Sequence, residues 1–136
     1  MATLHCLTGC AIGEVLGMVL GTGLGWSNGA TVAASVILAF VVGYSLTMRP
    51  LLKHGLALKT AAGLALASDT FSIGTMEVVD SAVMLAVPGA MAATLADPLF
   101  WISLGGSLVL AGAAAFPVNR WLIARGKGHA VVHKYH

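Results

Sequence analysis

Four long runs of apolar residues, separated by short polar or basic connections, dominate the chain. The runs cover about residues 4–24, 30–47, 66–91 and 98–123. About 20 apolar residues in an α-helix are enough to cross the hydrocarbon of a bilayer. The runs are continuous, whereas the strands of a membrane β-barrel alternate apolar and polar residues. The pattern therefore predicts an all-α fold, a four-span transmembrane helical bundle that forms a single domain over residues 1–136.

Turn-forming residues set the predicted ends of these helices. Glycine and asparagine accept positive φ, so residues 25–29 predict a tight turn between the first two spans. Pro50 disfavours helix in the residue before it, and the second span is expected to end at Met48-Arg49. Asp97 as N-cap and Pro98 as first helical residue begin the fourth span.

The third helix is predicted to be long and broken. The helical region extends from about Ala57 to Leu95, which at the rise of an α-helix is about 58 Å and too long for one straight span. We expect an interruption near Ser68 to Gly74 and a second distortion at Pro88-Gly89.

Composition indicates the solvent in which the chain folds. Hydrophobic residues make up 58% of the chain and charged residues 9%, whereas an ordinary soluble domain has about 25% charged residues. A domain this small cannot bury so much apolar surface in water. A soluble enzyme, a disordered chain and a basic nucleic-acid binder are therefore excluded. We expect an integral membrane protein whose partner is the lipid bilayer.

The distribution of charge predicts how the helices are oriented. All seven Lys and Arg residues lie in the 48–59 connection or from Arg120 onward, and the turns at 25–29 and 92–98 have none. Because basic segments remain in the cytoplasm, we expect both termini there, with residues 124–136 as a cytoplasmic tail. No basic residue precedes the first apolar run, so we expect a retained span rather than a cleaved signal peptide.

Small residues follow one face of the first span. Glycine occurs at every fourth position, at Gly9, Gly13, Gly17, Gly21 and Gly25. Such a row lets another helix approach closely, because lipid supplies no hydrophobic drive for helix association. Two partners remain open: the third or fourth span of the same chain, which we favour, and a second copy in a homo-oligomer.

Beside the glycines lies a row of chemically reactive side chains, Cys6, Cys10, Glu14 and Met18, also at intervals of four. A disulfide between the two cysteines is not expected, since they lie one turn apart near the reducing cytoplasm. Buried cysteine and methionine also serve as small or adaptable apolar residues. The carboxyl group of Glu14 favours a functional interpretation of the row.

The third helical region carries a matching set of residues. Met76, Asp80 and Met84 form a spacing-of-four series, with Glu77 and Asp69 close to the same face. Acidic residues inside a span are costly and mark a candidate functional site. Without a basic partner at that depth they must be protonated, hydrated or bound to a cation. A purely structural alternative has protonated carboxyls hydrogen-bonded to Ser68, Thr70, Ser72 and Thr75.

The nature of the cation depends on the ligands that accompany these carboxyls. Carboxylates alone suit protons, sodium or hard divalent ions, whereas thiolate and thioether ligands select soft ions such as Cu(I). The candidate cation path is Glu14, Glu77, Asp80 and Asp69. The candidate metal ligands are Cys6, Cys10, Met76, Met84, His5, His129 and His133, although the histidine tail has a solvated interpretation. We expect copper or another soft metal ion as the ligand.

Three segments carry a family resemblance: His5 to Glu14 (HCLTGCAIGE), Met76 to Asp80 followed by Pro88 to Met91, and Phe116 to His133. They resemble a bacterial family of small four-span membrane proteins described only as a domain of unknown function. The resemblance covers nearly the whole chain. It implies four spans, a bacterial inner membrane, and no particular substrate. Its motif positions here are Cys6, Cys10, Glu14, Glu77, Asp80, Asn119, Arg120, His129 and His133.

Two functions compete at this point. The first is a transporter or channel that passes a soft metal ion along a Cys/Met/carboxylate path. The alternative is a non-transporting assembly subunit whose glycine groove docks another membrane protein. An enzyme is not expected, since the chain has no HExxH, GxSxG or P-loop motif.

Overall fold

The computed structural model describes residues 2–126 and Val132. These residues form four α-helices and one turn of 3-10 helix at Ala90–Ala92. The helices are α1 (Ala2–Leu24), α2 (Asn28–Lys53), α3 (Leu58–Ala86) and α4 (Pro98–Ala124). The described part of the chain has no strand, so the all-α prediction is confirmed. Three helices, α1, α2 and α4, are long and apolar enough to cross a membrane.

The first connection is short and capped. Gly25 adopts a positive φ of 65° directly after α1, a conformation that glycine reaches without steric cost. Ser27 then caps α2 by accepting a hydrogen bond of 3.3 Å from the Ala30 N–H. Three residues therefore reverse the chain, and α2 must return alongside α1.

Helix α2 continues past the point where the sequence predicted its end. It includes Pro50 and ends at Lys53 rather than at Met48-Arg49. A proline inside a helix removes one N–H donor and crowds the carbonyl four residues earlier, so the turn beyond it depends on packing. Thr47 and Leu51, on either side of it, are both fully buried, and their packing holds this last turn in helical form.

Helix α3 is continuous, and the predicted interruption near Ser68 to Gly74 is wrong. The helix ends at Ala86, so its length is about 43 Å and needs no internal break. A hydroxyl group within that segment bonds to its own helix, since Thr70 donates to the Leu66 carbonyl at 2.5 Å. At Pro88-Gly89, where a distortion within the helix was expected, α3 has already ended. Gly89 turns the chain there with a φ of 84°.

The connection into α4 is held by side chains. Asp97 and Pro98 occupy the N-cap and first helical positions, as predicted. The Asp97 carboxylate accepts hydrogen bonds from the Thr94 N–H at 2.8 Å and the Thr94 hydroxyl at 2.9 Å. These bonds lower the pKa of Asp97, because they stabilise its charged form. The Trp101 Nε1–H also donates to the Leu95 carbonyl at 2.9 Å.

The glycine row of α1 is filled by α2. A Cβ added at Gly9 would lie 2.8 Å from the Gly43 Cα, and one at Gly13, Gly17 or Gly21 would also come within 3.0 Å of α2. The residues that face this row on α2 are Gly43, Ala39, Ser35 and Thr31. The close partner is thus the second helix, not the third or fourth as favoured from sequence. Gly25 has no neighbour within 4 Å of such a Cβ and belongs to the turn instead.

Candidate functional site

Two rows of side chains, one on α1 and one on α3, meet inside the bundle at a constant register. The Cys10 Sγ lies 3.9 Å from the Met76 Sδ, and these residues are 66 positions apart. The same offset relates the other facing pairs, so the two helices run parallel. We call these pairs the α1–α3 ladder: Cys6–Ser72, Cys10–Met76, Glu14–Asp80 and Met18–Met84.

The ladder is buried along its whole length. Each of its eight residues is at most 3% exposed. Successive levels are separated by four residues, or about 6 Å along the helices. The first level pairs a thiol with a hydroxyl, and the second pairs a thiol with a thioether. The third level pairs two carboxyls, and the fourth pairs two thioethers.

The carboxyl level receives groups from the other helices as well. Glu14 faces both Asp80 and Glu77. Glu77 follows Met76 of the ladder directly in α3. From α4, the Ser107 hydroxyl donates a hydrogen bond to the Asp80 carboxyl. From α2, the Ser35 hydroxyl faces Glu14. All four helices therefore contribute a polar group at this depth.

Several oxygen atoms at this level are buried without a hydrogen-bond partner among the described residues. They include one carboxyl oxygen each of Glu14, Glu77 and Asp80. All five described Lys and Arg side chains are exposed, so none reaches these acids. An unpaired buried carboxylate is strongly disfavoured, and the cluster needs a proton or a cation to be stable.

The serine and threonine side chains of α3 do not satisfy these three acids. Ser68 bonds to Asp69 at 2.6 Å, and Thr70 bonds to the Leu66 carbonyl at 2.5 Å. Ser72 belongs to the Cys6 level and its Oγ has no hydrogen-bond partner in the described chain. Of the four hydroxyl groups that the structural alternative named, only that of Ser68 bonds to an acid, Asp69, while those of Thr70 and Thr75 bond to carbonyls of their own helix.

Asp69 belongs to a separate polar cluster nearer the start of α1. It is fully buried and accepts hydrogen bonds from Ser68 and from Thr47 of α2. His5 Nε2 lies 3.0 Å from the Thr47 hydroxyl. Since Thr47 donates its hydrogen to Asp69, His5 donates to Thr47. This cluster connects α1, α2 and α3.

The predicted metal ligands are spread along the ladder rather than gathered at one point. Residues 2–126 and Val132 contain no group of three or more His, Cys, Asp and Glu residues placed to hold a metal ion. Cys10 and Met76 are adjacent, whereas His5 bonds to Thr47 and Met84 lies in an apolar cluster with Met18 and Phe100. His129 and His133 lie outside the described residues.

An apolar layer closes the ladder at the end of α1. Met18, Met84, Phe100 and Leu104 form one buried cluster there. Beyond it lies a cavity of about 300 Å³, lined by Met18 and Phe100 together with residues of the 93–96 loop. Met18, a member of the ladder, therefore borders this cavity.

The family model of a domain of unknown function, DUF4396, matches residues 1–128. The chain belongs to this family. The resemblance noted from the sequence motifs to a family of unknown function is thereby confirmed. No curated protein and no solved structure matches the DUF4396 chain.

Sequence reasoning missed three polar residues of the DUF4396 chain that surround the acids: Ser35, Thr47 and Ser107. Each is fully buried inside a predicted apolar span. The available signal on α2 was spacing, since Thr31 and Ser35 are four residues apart and therefore lie on one side of the helix. Asn119, a motif position, donates a hydrogen bond of 3.1 Å to Thr3 and fastens α4 to α1.

Proposed function

We propose that this DUF4396 protein is a cation transporter or channel of the bacterial inner membrane, and that the cation moves along the α1–α3 ladder. The proposal rests on one observation above all. The carboxyl groups of Glu14, Glu77 and Asp80 meet in the centre of the bundle with unpartnered oxygens and no basic neighbour. Ionisable groups at membrane depth characteristically mark an ion or proton pathway.

Helix α3 serves as the fourth span in this proposal. It has the length to cross a bilayer but carries Asp69, Glu77 and Asp80. All three acids are buried. Between residues 61 and 86 its exposed positions carry only Gly, Ala, Val, Leu and Phe, apart from Thr70. The Thr70 hydroxyl is bonded to the Leu66 carbonyl and to Tyr44, so this surface suits contact with lipid.

Four spans place both termini on the same side of the membrane. The parallel course of α1 and α3 supports this arrangement, because both helices then begin at one surface. The basic residues Arg49, Lys53 and Lys59 flank the connection between α2 and α3, and Arg120 and Arg125 flank the end of α4. The positive-inside rule assigns that surface to the cytoplasm.

The sulfur pair makes Cu(I) the first cation to test. Cys10 and Met76 offer a thiol and a thioether at one level, and Glu77 lies beside the thiol. Soft sulfur ligands favour Cu(I) over hard cations. A soft metal ion bound between these sulfurs is one turn away from the carboxyl level.

In the alternative function, an assembly subunit, the glycine row would have to be free to dock a partner. That row is covered by α2, so neither another membrane protein nor a second copy reaches it while the bundle is intact. We therefore do not place a partner or a homo-oligomer contact there.

Uptake of Cu(I) into vesicles that contain the purified protein tests the proposal. We expect uptake by the wild type and its loss in Cys10→Ser and Met76→Leu, since each change removes one sulfur of the pair. Met48→Leu is the matched control, because Met48 packs beside Leu51, away from the ladder. Its uptake should equal that of the wild type.

Two results would overturn the proposal. One is wild-type vesicles that pass neither Cu(I), Na⁺ nor protons. The other is uptake that survives both Glu14→Gln and Asp80→Asn, since these changes remove the ionisable groups and keep the size of the side chains.

A further inference from the structure

Every helix of the bundle contributes an oxygen-bearing side chain at the carboxyl level. Glu14 comes from α1, Ser35 from α2, Asp80 from α3 and Ser107 from α4. Glu14 faces Ser35 and Asp80, and Ser107 bonds to Asp80. We call these four residues the oxygen ring.

The ring contains more acceptor capacity than the described chain satisfies. Glu14 Oε2, Asp80 Oδ2 and Ser35 Oγ are buried and have no hydrogen-bond partner within residues 2–126 and Val132. The exposed fractions of these residues are 3%, 1% and 0%. Buried polar atoms in proteins are almost always paired, so an unpaired set of oxygens at one level of the bundle indicates a ligand site.

A ligand at this level must be electropositive. Two carboxyl groups face each other in the ring, and the described Lys and Arg side chains are all exposed. An anion or a neutral hydrogen-bond acceptor would increase the repulsion between these carboxyls. A cation instead offsets their charge and accepts lone pairs from the hydroxyl groups as well.

The ligand chemistry of the ring differs from that of the sulfur pair one turn away. Its four side chains present only carboxyl and hydroxyl oxygens. Oxygen ligands suit hard cations, whereas Cys10 and Met76 suit soft ones. From this contrast we infer that the oxygen ring binds a hard cation such as Na⁺, at a site distinct from the sulfur pair. The inference rests on the proposed function, in which cations occupy the ladder. It adds a binding site for hard cations to the sulfur pair that binds soft ones.

Thermal unfolding of the purified full chain in detergent tests the site, with NaCl compared with choline chloride at equal ionic strength. An ion that binds only the folded protein raises its Tm. We expect Na⁺ to raise the Tm of the wild type, and Glu14→Gln and Ser35→Ala each to weaken Na⁺ binding about tenfold. Ser35→Ala is smaller than the native residue and keeps the contact with Gly17, so it guards against a folding defect in the first variant.

Ser45→Ala is the matched control on the same helix. The Ser45 hydroxyl is exposed and bonds to its own-helix Val41 carbonyl at 2.6 Å, so its Na⁺ response should remain that of the wild type. A response to CaCl₂ in place of NaCl equally supports a hard-cation site. A Tm that rises only with Ag⁺ or Cu(I), or a Na⁺ response unchanged in both ring variants, overturns it.

The site and the proposed function fail in different ways. A chain that passes Cu(I) in vesicles but shows no response to Na⁺ or Ca²⁺ lacks the hard-cation site and is still a transporter. A chain that binds Na⁺ at the ring but passes no cation has the site and is not a transporter.

Discussion

Cys10 and Met76 place their sulfur atoms 3.9 Å apart although 66 positions separate them in the chain. The same offset pairs Glu14 with Asp80, one turn further along both helices. A constant offset over several turns requires α1 and α3 to lie parallel and in contact. The chemistry of each level is therefore decided jointly by one residue from each helix.

A disulfide tests this register directly. Ser72→Cys is nearly isosteric and places a second thiol beside Cys6, in a background that carries Cys10→Ser. We expect diamide to oxidise this pair, and alkylation followed by mass spectrometry to count the two thiols lost. Ser103→Cys in the same background is the control, since Ser103 is buried next to Leu104, which packs with Met18 and Met84, three levels of the ladder away from Cys6. Equal oxidation of both variants would refute the register.

The sequence predicted both rows of the ladder but not how they meet. Each row follows from helical periodicity alone, because residues four apart share a face. The pairing depends on the short turn at Gly25 to Ser27 and on the path of α2, which are properties of the tertiary structure. The unpartnered oxygens of Ser35 and Glu14 emerge only once the helices are assembled.

The glycine row shows the same limit. Glycine at every fourth residue identified a face of close approach correctly for Gly9, Gly13, Gly17 and Gly21. The choice of partner was wrong because small residues also occur on the other helices. The three-residue connection decides it, since α2 has no room to lie anywhere except against α1.

Two alanine substitutions on α1 separate the packing role of glycine from its helix propensity. Gly13→Ala puts a methyl group less than 3.0 Å from the Ala39 backbone, and we expect it to destabilise the protein by about 1–3 kcal/mol. Gly23→Ala meets nothing within 4 Å and should be neutral or stabilising by up to about 1 kcal/mol. Thermal unfolding of both variants measures the contrast, and similar Tm values for the two would remove the packing role.

The bonds between Thr94 and Asp97 predict a dependence on pH. The folded pKa of Asp97 is lowered, below an unfolded value of about 3.9. Its contribution to stability is therefore fully present above about pH 3.9 and is lost as pH falls through the folded pKa. We expect Asp97→Asn to have a lower Tm than the wild type at pH 7, with the difference shrinking below about pH 3.9. A difference that grows as the pH falls would contradict this account.

The number of membrane crossings depends on α3, whose acids are buried and whose exposed surface is apolar. Single cysteines at Asn28, Ala57 and Ala96, in a background without Cys6 and Cys10, report the three connections in turn. If α3 crosses the membrane, an impermeant thiol reagent added outside intact cells labels the cysteines at 28 and 96 and spares the one at 57. If α3 stays on one side, positions 57 and 96 lie on the same surface and label alike. Labelling after the membrane is permeabilised is the control, because all three cysteines, which replace exposed residues, should then react.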